Sequence, residues 1–207
     1  MDEEDKMTRI YLLRHGQTQF NLKGLIQGSC DSKLTSLGIM QAKGVRQYLQ
    51  QIDFAAIFCS TSERTLDTVT YATGGRSAVT PCKEFKEMDF GNVEGDDESQ
   101  LFAGLACLDY SYLLIHDGWA ANGGESGEDM TKRIFKKLDE IVTKYPSGNI
   151  LIATHGGTIM NIVMNIAPAY ANGNLPGPKN CSITIIDHDQ DYRLIDYNLD
   201  VTNNINK

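Results

Sequence analysis

Two histidines and two arginines carry the chemistry legible in this sequence: Arg14-His15-Gly16 and His155-Gly156-Gly157 each close an apolar run, and Arg64 follows another closely. An imidazole serves as a nucleophile or a proton carrier near neutral pH. A guanidinium presents a planar fork that fits phosphate or carboxylate oxygens. Two of each around one point make a site for a phosphomonoester dianion, whose charge the forks balance without a metal. Gly16 removes a side chain where the chain must turn and lets an anion approach backbone N–H groups.

The elements that must hold these groups follow from periodicity. Arg9–Leu13, Ala55–Cys59 and Asn149–Thr154 read as buried strands, each followed by a polar turn and a helical pattern. Thr35 is the expected N-cap of a helix that buries Ile39, Ala42, Val45, Leu49 and Ile52. Ser60-Thr61-Ser62 opens the helix carrying Arg64. A third helix starts at Ser126, with Asp129 in capping-box position, and buries Met130, Ile134, Leu138, Ile141 and Tyr145. Lys132, Arg133, Lys136, Lys137 and Glu140 are expected to face water, and Ile159–Ala167 reads as a further helix. Repeated strand-then-helix units predict a three-layer α/β/α sandwich with a largely parallel central sheet. Ile183–Ile186 and Tyr192–Ile195 flank a polar turn and predict an antiparallel hairpin at one edge. Parallel strands point the same way, so both histidines should reach one crevice at their carboxyl ends.

The 207 residues fit one domain, with a less regular insertion at about 96–124 expected to fold over the site as a lid. Nineteen basic residues against 27 acidic ones give a net charge of −8, which argues against nucleic acid or an anionic membrane as partner. Five scattered cysteines form no C-x-x-C pair and read as reduced thiols, with Cys30 and Cys59 as packing groups. No secretory signal or membrane-spanning run is visible, so the expectation is a cytoplasmic protein. An oligomeric state is not inferable.

In family order the chain carries Arg14-His15-Gly16-Gln17-Thr18 with Asn21, Gln27-Gly28, Asp31, Leu34-Thr35, Gly38 and Gln41-Ala42. Then come Ser60, Arg64 and Thr68, Glu87, Gly91 and Glu94-Gly95, Gly124-Glu125-Ser126, and His155-Gly156-Gly157. On these residues it resembles the histidine phosphatase superfamily, in the branch that holds the cofactor-dependent phosphoglycerate mutases. The resemblance implies a metal-independent phosphomonoesterase, without a cofactor, acting on a small phosphorylated metabolite through a phosphohistidine. It implies His15 as nucleophile, and Arg14, Arg64 and His155 as ligands of the transferring phosphoryl group. It gives Glu87 the role of general acid and then base; for that Glu87 must be protonated when substrate binds, an expectation resting on a partly desolvated pocket and the bound dianion. Gly16, Gln17, Thr18, Asn21, Gln27, Gly28 and Gly156 complete the expected substrate contacts. Asp89 and Glu94 rival Glu87 for the acid by position, and spacing to Gly91 and Glu94-Gly95 favours Glu87.

Two departures bear on substrate. Many members of the family carry an arginine four residues after the position of Asn21, where this chain has Leu25, and no Lys or Arg occurs between Lys86 and Lys132 while acidic residues abound there. An acidic lid repels a second anionic group, so the expected substrate has a neutral, cationic or apolar alcohol, with Tyr110, Tyr112, Leu113 and Trp119 available to line its end of the site. The alternatives are a mutase-like phosphotransferase, a zinc hydrolase built on His15, His155 and Glu87, and a silent phosphate-binding module.

Overall fold

Continuous apolar runs become strands here because the sheet is covered on both faces. The computed structural model describes residues 7–75, 78–99, 110–171 and 175–202. Strands β1 (Thr8–Arg14), β2 (Phe54–Cys59), β3 (Thr80–Pro81), β4 (Gly148–Thr154), β5 (Ile183–His188) and β6 (Tyr192–Leu199) form one sheet in the order β3-β2-β4-β1-β5-β6. The first four run parallel, and β5 and β6 add the expected antiparallel hairpin beside β1.

Alternation along β1 sends Ile10 and Leu12 to one face and Tyr11 and Leu13 to the other. The Tyr11 and Leu13 face packs against α2 (Ser36–Leu49) and α3 (Glu63–Thr73) through Ala42, Val45, Leu49, Val69 and Ala72. The Ile10 and Leu12 face packs against α5 (Gly127–Lys144) and α6 (Gly156–Ile166), with Met130, Ile134, Leu138, Ile159 and Ile162 wholly buried. The three-layer α/β/α sandwich is thus the observed architecture. Among the described residues, no helix is long and apolar enough to cross a membrane.

Local chemistry sets the helix starts. Thr35 accepts the Gly38 N–H at 3.0 Å, and Ser126 accepts that of Asp129 at 3.1 Å, so two of the expected caps are in place. A short helix α1 (Gln19–Lys23) begins at a capping box between Thr18 and Asn21 and ends at Gly24, whose φ of 65° is left-handed.

The insertion differs from expectation. Residues 100–109, and the side chains of Tyr110 and Tyr112, lie outside the described residues. Beyond them, α4 (Tyr110–Ile115) packs on α5 and α6 as part of the helical layer, with the Leu114 carbonyl accepting from Asn161 Nδ2 at 2.7 Å. Leu113 and Trp119 therefore join the core, where Trp119 packs against Phe90, instead of lining the substrate end. Large apolar side chains next to an uncovered helix are drawn under it before they are left facing a polar cleft.

The loop after β1 is pinned by α2. A Cβ on Gly16 would sit 2.6 Å from the Gly38 oxygen, and one on Gly38 would sit 2.1 Å from the Gln17 oxygen. Helix propensity alone predicts that Gly38→Ala stabilises by about 1 kcal/mol, but backbone overlap of this kind costs about 1–3 kcal/mol. The clash wins, so Gly38→Ala should lower the urea unfolding midpoint at unchanged m; a raised midpoint would disprove the contact.

Candidate active site

Register brings the two histidines together. β1 and β4 pair in parallel until Arg14 faces Thr154, and the next residue on each strand is a histidine. Their rings lie 5.3 Å apart at 62°. His15 Nδ1 lies 2.8 Å from the Gly16 carbonyl oxygen, which can only accept, so Nδ1 carries the proton and Nε2 keeps its lone pair. Burial first, then the Arg64 and Arg14 charges, hold His15 well below the ordinary imidazole range; it is neutral at physiological pH.

Arg64 and His155 are wholly buried behind that ring. Arg64 spends four of its five N–H groups on protein: Nε to His155 Nδ1 at 3.2 Å, Nη1 to Asp31 Oδ1 and the Cys30 carbonyl at 2.9 Å each, and Nη2 to the Gly28 carbonyl at 2.8 Å. Asp31, not the neighbouring Glu63 or Asp67, is its ion-pair partner. Arg64 Nε can only donate, so His155 Nδ1 bears no proton and Nε2–H donates to Ser60 Oγ at 2.8 Å. His155 is held neutral as well, by burial and then by Arg64. With both nitrogens engaged, this ring has no lone pair left for the zinc reading. Among the described residues, no group of three or more His, Cys, Asp and Glu side chains is placed to hold a metal ion.

Arg14 reaches the site along the N-terminus of α6. A Cβ on Gly156 would come within 3.3 Å of Arg14 Nε, so this glycine admits the guanidinium, whose Nη1 donates to the Pro178 carbonyl. Asn21 gives its amide oxygen to the Thr18 N–H and to Asn180 Nδ2, at 3.2 and 3.3 Å, which leaves its own Nδ2 hydrogens to the cavity.

Glu87 is nearly buried and sits on the N-terminus of α6. Its Oε2 accepts the Gly157 N–H at 2.9 Å, and its Oε1 accepts those of Thr158 and Met88 at 3.0 Å. The helix has no side-chain cap of its own, and this carboxylate supplies one from a distant loop. A Cβ on Gly157 would lie 2.6 Å from Glu87 Oε1, so the second glycine after His155 makes room for the acid as the first does for Arg14. The rivals are occupied elsewhere. Glu94 accepts the N–H groups of Ser29, Cys30 and Phe90, and Asp89 accepts that of Gly91.

Arg14, His15, Asn21, Gln27, Glu87 and Gly156 line one cavity of about 330 Å³, closed by Leu25, Ile26, Phe90, Glu98, Met160, Leu175, Gly177 and Pro178 among others. Gly16, Gln17, Thr18 and Gly28, expected as substrate contacts, lie off this wall and hold it. Gly16 N–H donates to Thr68, Gln17 bonds Gln41 and Thr35, Thr18 bonds Gln27, and the Gly28 carbonyl holds Arg64. Arg64 and His155 are likewise behind the wall, because a buried cation and a buried ring must find partners before they can serve a ligand. A larger cavity of about 490 Å³ meets Glu87 from the other side, but His15 is not on it and its cationic and acidic residues balance.

Sequence reasoning passed over residues 175–180. Leu175, Gly177 and Pro178 close the cavity, and Asn180 Nδ2 also donates to the His15 carbonyl at 3.1 Å. The signal was the Pro176-Gly177-Pro178 turn before β5. Arg133, expected to face water, instead pairs in a two-pronged fashion with Glu125 at 2.6 and 2.7 Å. The thiols of Cys30 and Cys59 are each pushed up to about 11 by burial, which suits packing groups and not nucleophiles.

Residues 10–200 match the histidine phosphatase superfamily (branch 1). The chain belongs to that family. Its relatives bear two kinds of name. A metal-independent phosphoserine phosphatase of Arabidopsis thaliana is 26% identical over 88% of this chain and 77% of its own length. The "Probable phosphoglycerate mutase GpmB" of Proteus mirabilis is 28% identical over 88% of this chain and 86% of its own. The crystal structure of a phosphoglycerate mutase from Bacillus anthracis superposes with a TM-score of 0.85 over 96% of both chains at 23% identity, a likeness of fold. The chain is thus similar to the first two in sequence and to the third in fold, while their names divide on what becomes of the phosphoryl group.

The two neutral rings make stability depend on pH. The unfolded chain protonates both histidines as pH falls through about 6.5, and the folded protein does not. Their effect is therefore absent above that value and destabilising below it, approaching about 1.4 kcal/mol per pH unit for each ring. Urea midpoints measured from pH 8 down to 5.5 should fall, and more steeply for the natural protein than for His15→Asn. Equal slopes would mean that His15 takes up its proton in the folded state.

Proposed function

We propose that this protein is a metal-independent phosphomonoesterase that hydrolyses small phosphorylated metabolites through a phosphohistidine at His15. The observation that carries the reading is the His15 Nε2 lone pair in a cavity where Arg14, Asn21 and Glu87 also converge. Nε2 forms the N–P bond in line as the P–O bond to the alcohol breaks. Arg14 and the Asn21 amide take up charge on the equatorial oxygens, with the buried His155–Arg64 pair setting the field behind the nucleophile. Glu87 delivers the proton to the departing alkoxide. Its Oε2, which accepts a single N–H, has the lone-pair position to carry it. In the second half, Glu87 takes a proton from water, the water oxygen bonds to phosphorus, and the P–N bond breaks to return neutral His15.

The substrate end of the cavity favours an alcohol without a second anion. Leu25, Phe90, Met160 and Leu175 are apolar, Glu98 is acidic, and Arg14 is the one Lys or Arg among the described lining residues. The Arabidopsis relative named as a metal-independent phosphatase supports hydrolysis. The GpmB relative favours the second reading, a mutase-like phosphotransferase, which would return the phosphoryl group to substrate. The expected partner is thus a small phosphomonoester, and the expected place of action is the cytoplasm.

Rapid-quench mass spectrometry with phenyl phosphate should detect an acid-labile phosphoryl group on His15, and His15→Ala should abolish both adduct and turnover while chelators leave turnover intact. Retained turnover in His15→Ala would sink the mechanism. Across substrates, kcat/KM for neutral or cationic monophosphates should exceed that for phosphoglycerate or sugar bisphosphates, with free phosphate as product. Preference for the polyanions, or phosphoryl return, would favour the mutase reading instead.

A further inference from the structure

The segment that carries Glu87 is irregular: a single 3-10 turn, Lys83–Phe85, runs into extended chain. Among the described residues, the carbonyls of Glu84, Phe85, Lys86 and Glu87 have no main-chain partner, yet each accepts a side-chain hydrogen bond. Arg133 Nη1 donates to Glu84 O at 2.5 Å, and Arg133 Nη2 to Glu87 O at 3.3 Å. Thr154 Oγ1 donates to Phe85 O at 2.8 Å, and Thr158 Oγ1 to Lys86 O at 3.0 Å. Four successive carbonyls are therefore gripped from two sides: the outer two by α5 through Arg133, and the inner two by β4 and α6 through the two threonines.

We infer that Arg133 and Thr158 are positioning residues for the proton-transfer step, fixing Glu87 against the cavity by clamping the backbone on which it stands. This rests on the reading of Glu87 as general acid. The arginine is itself held: its bidentate pair with Glu125 leaves the guanidinium one orientation, with one N–H of Nη1 and one of Nη2 aimed at the two carbonyls. Glu125 is fixed in turn, because its N–H donates to Asp89 O at 2.8 Å and its carbonyl accepts from Trp119 N–H at 2.9 Å. Thr158 acts at both ends of the acid, since its N–H holds Glu87 Oε1 while its hydroxyl holds the preceding carbonyl. Neither Arg133 nor Thr158 lines the cavity that holds His15. Their influence on the reaction passes through Glu87, and a proton donor displaced by even 1 Å loses much of its effect.

A merely structural role would slow all substrates alike; a role through the general acid slows only those whose leaving group needs the proton. The test compares kcat/KM for phenyl phosphate with that for 2,4-dinitrophenyl phosphate, whose phenolate departs unprotonated. Because kcat/KM covers only the steps up to phosphohistidine formation, the later hydrolysis does not blur the comparison. Glu87→Gln sets the reference, with an expected loss of about 10²-fold to 10⁴-fold on phenyl phosphate and little on the dinitrophenyl ester. Arg133→Gln and Thr158→Val should each lose about tenfold or more on phenyl phosphate and less than about threefold on the dinitrophenyl ester, and Thr158→Ser should restore the rate. Should Arg133→Gln fail to fold, the Thr158→Val and Thr158→Ser pair decides. Equal losses on both esters for Glu87→Gln would overturn the general-acid reading itself. A selective loss for Glu87→Gln, with equal or no losses for the clamp variants, would overturn the positioning proposal alone.

Discussion

Parallel pairing of β1 with β4 ends with Arg14 opposite Thr154, and the site follows from what each strand carries one residue later. Had β1 slipped by one residue against β4, its two faces would have exchanged, and Ile10 and Leu12 would have turned away from α5 and α6. Packing on both faces therefore fixes the register, and the register fixes the distance between the two imidazoles. The core thus places the two histidines, and the loops supply the groups around them.

That placement creates an electrostatic problem which the fold solves with a third element. Two rings and two guanidiniums in a water-poor crevice repel one another if all are charged, and an unpaired buried cation is costly by several kcal/mol. The protein keeps both imidazoles neutral and gives Arg64 a carboxylate and two carbonyls from the loop at 28–31. Glu94 closes that loop against the segment that follows Glu87, accepting N–H groups from both. A Cβ on Gly28 would lie 2.2 Å from the Met88 oxygen, so the two loops are in backbone contact. The neutral His15 ring and the buried cation behind it are thus parts of one arrangement.

The helix α6 has a second task. Its N-terminal N–H groups, which in many phosphate sites face the anion, are here turned to Glu87. The helix end holds the Glu87 carboxylate, and Arg14 and Asn21 are among the side-chain donors on the cavity wall. Gly156 and Gly157 divide the two functions between neighbouring positions, one clearing space for a guanidinium and the other for a carboxylate.

The strands β1, β2 and β4, the helices α2, α3, α5 and α6, the caps at Thr35 and Ser126, the edge hairpin and the meeting of His15 with His155 were legible in the residues, since each depends on local periodicity, turn chemistry or the common direction of parallel strands. The partner of Arg64 was not legible. Neither were the turning inward of Arg133, the withdrawal of Leu113 and Trp119 into the core, and the cavity wall at 175–178. Each depends on a contact between residues far apart in the chain, such as Arg64 with Asp31 or Arg133 with the carbonyl of Glu87. A hydrogen bond of that kind leaves no period in the sequence. Whether a charged side chain faces water or a buried carbonyl is settled by which loop folds against it, and so by the tertiary structure alone.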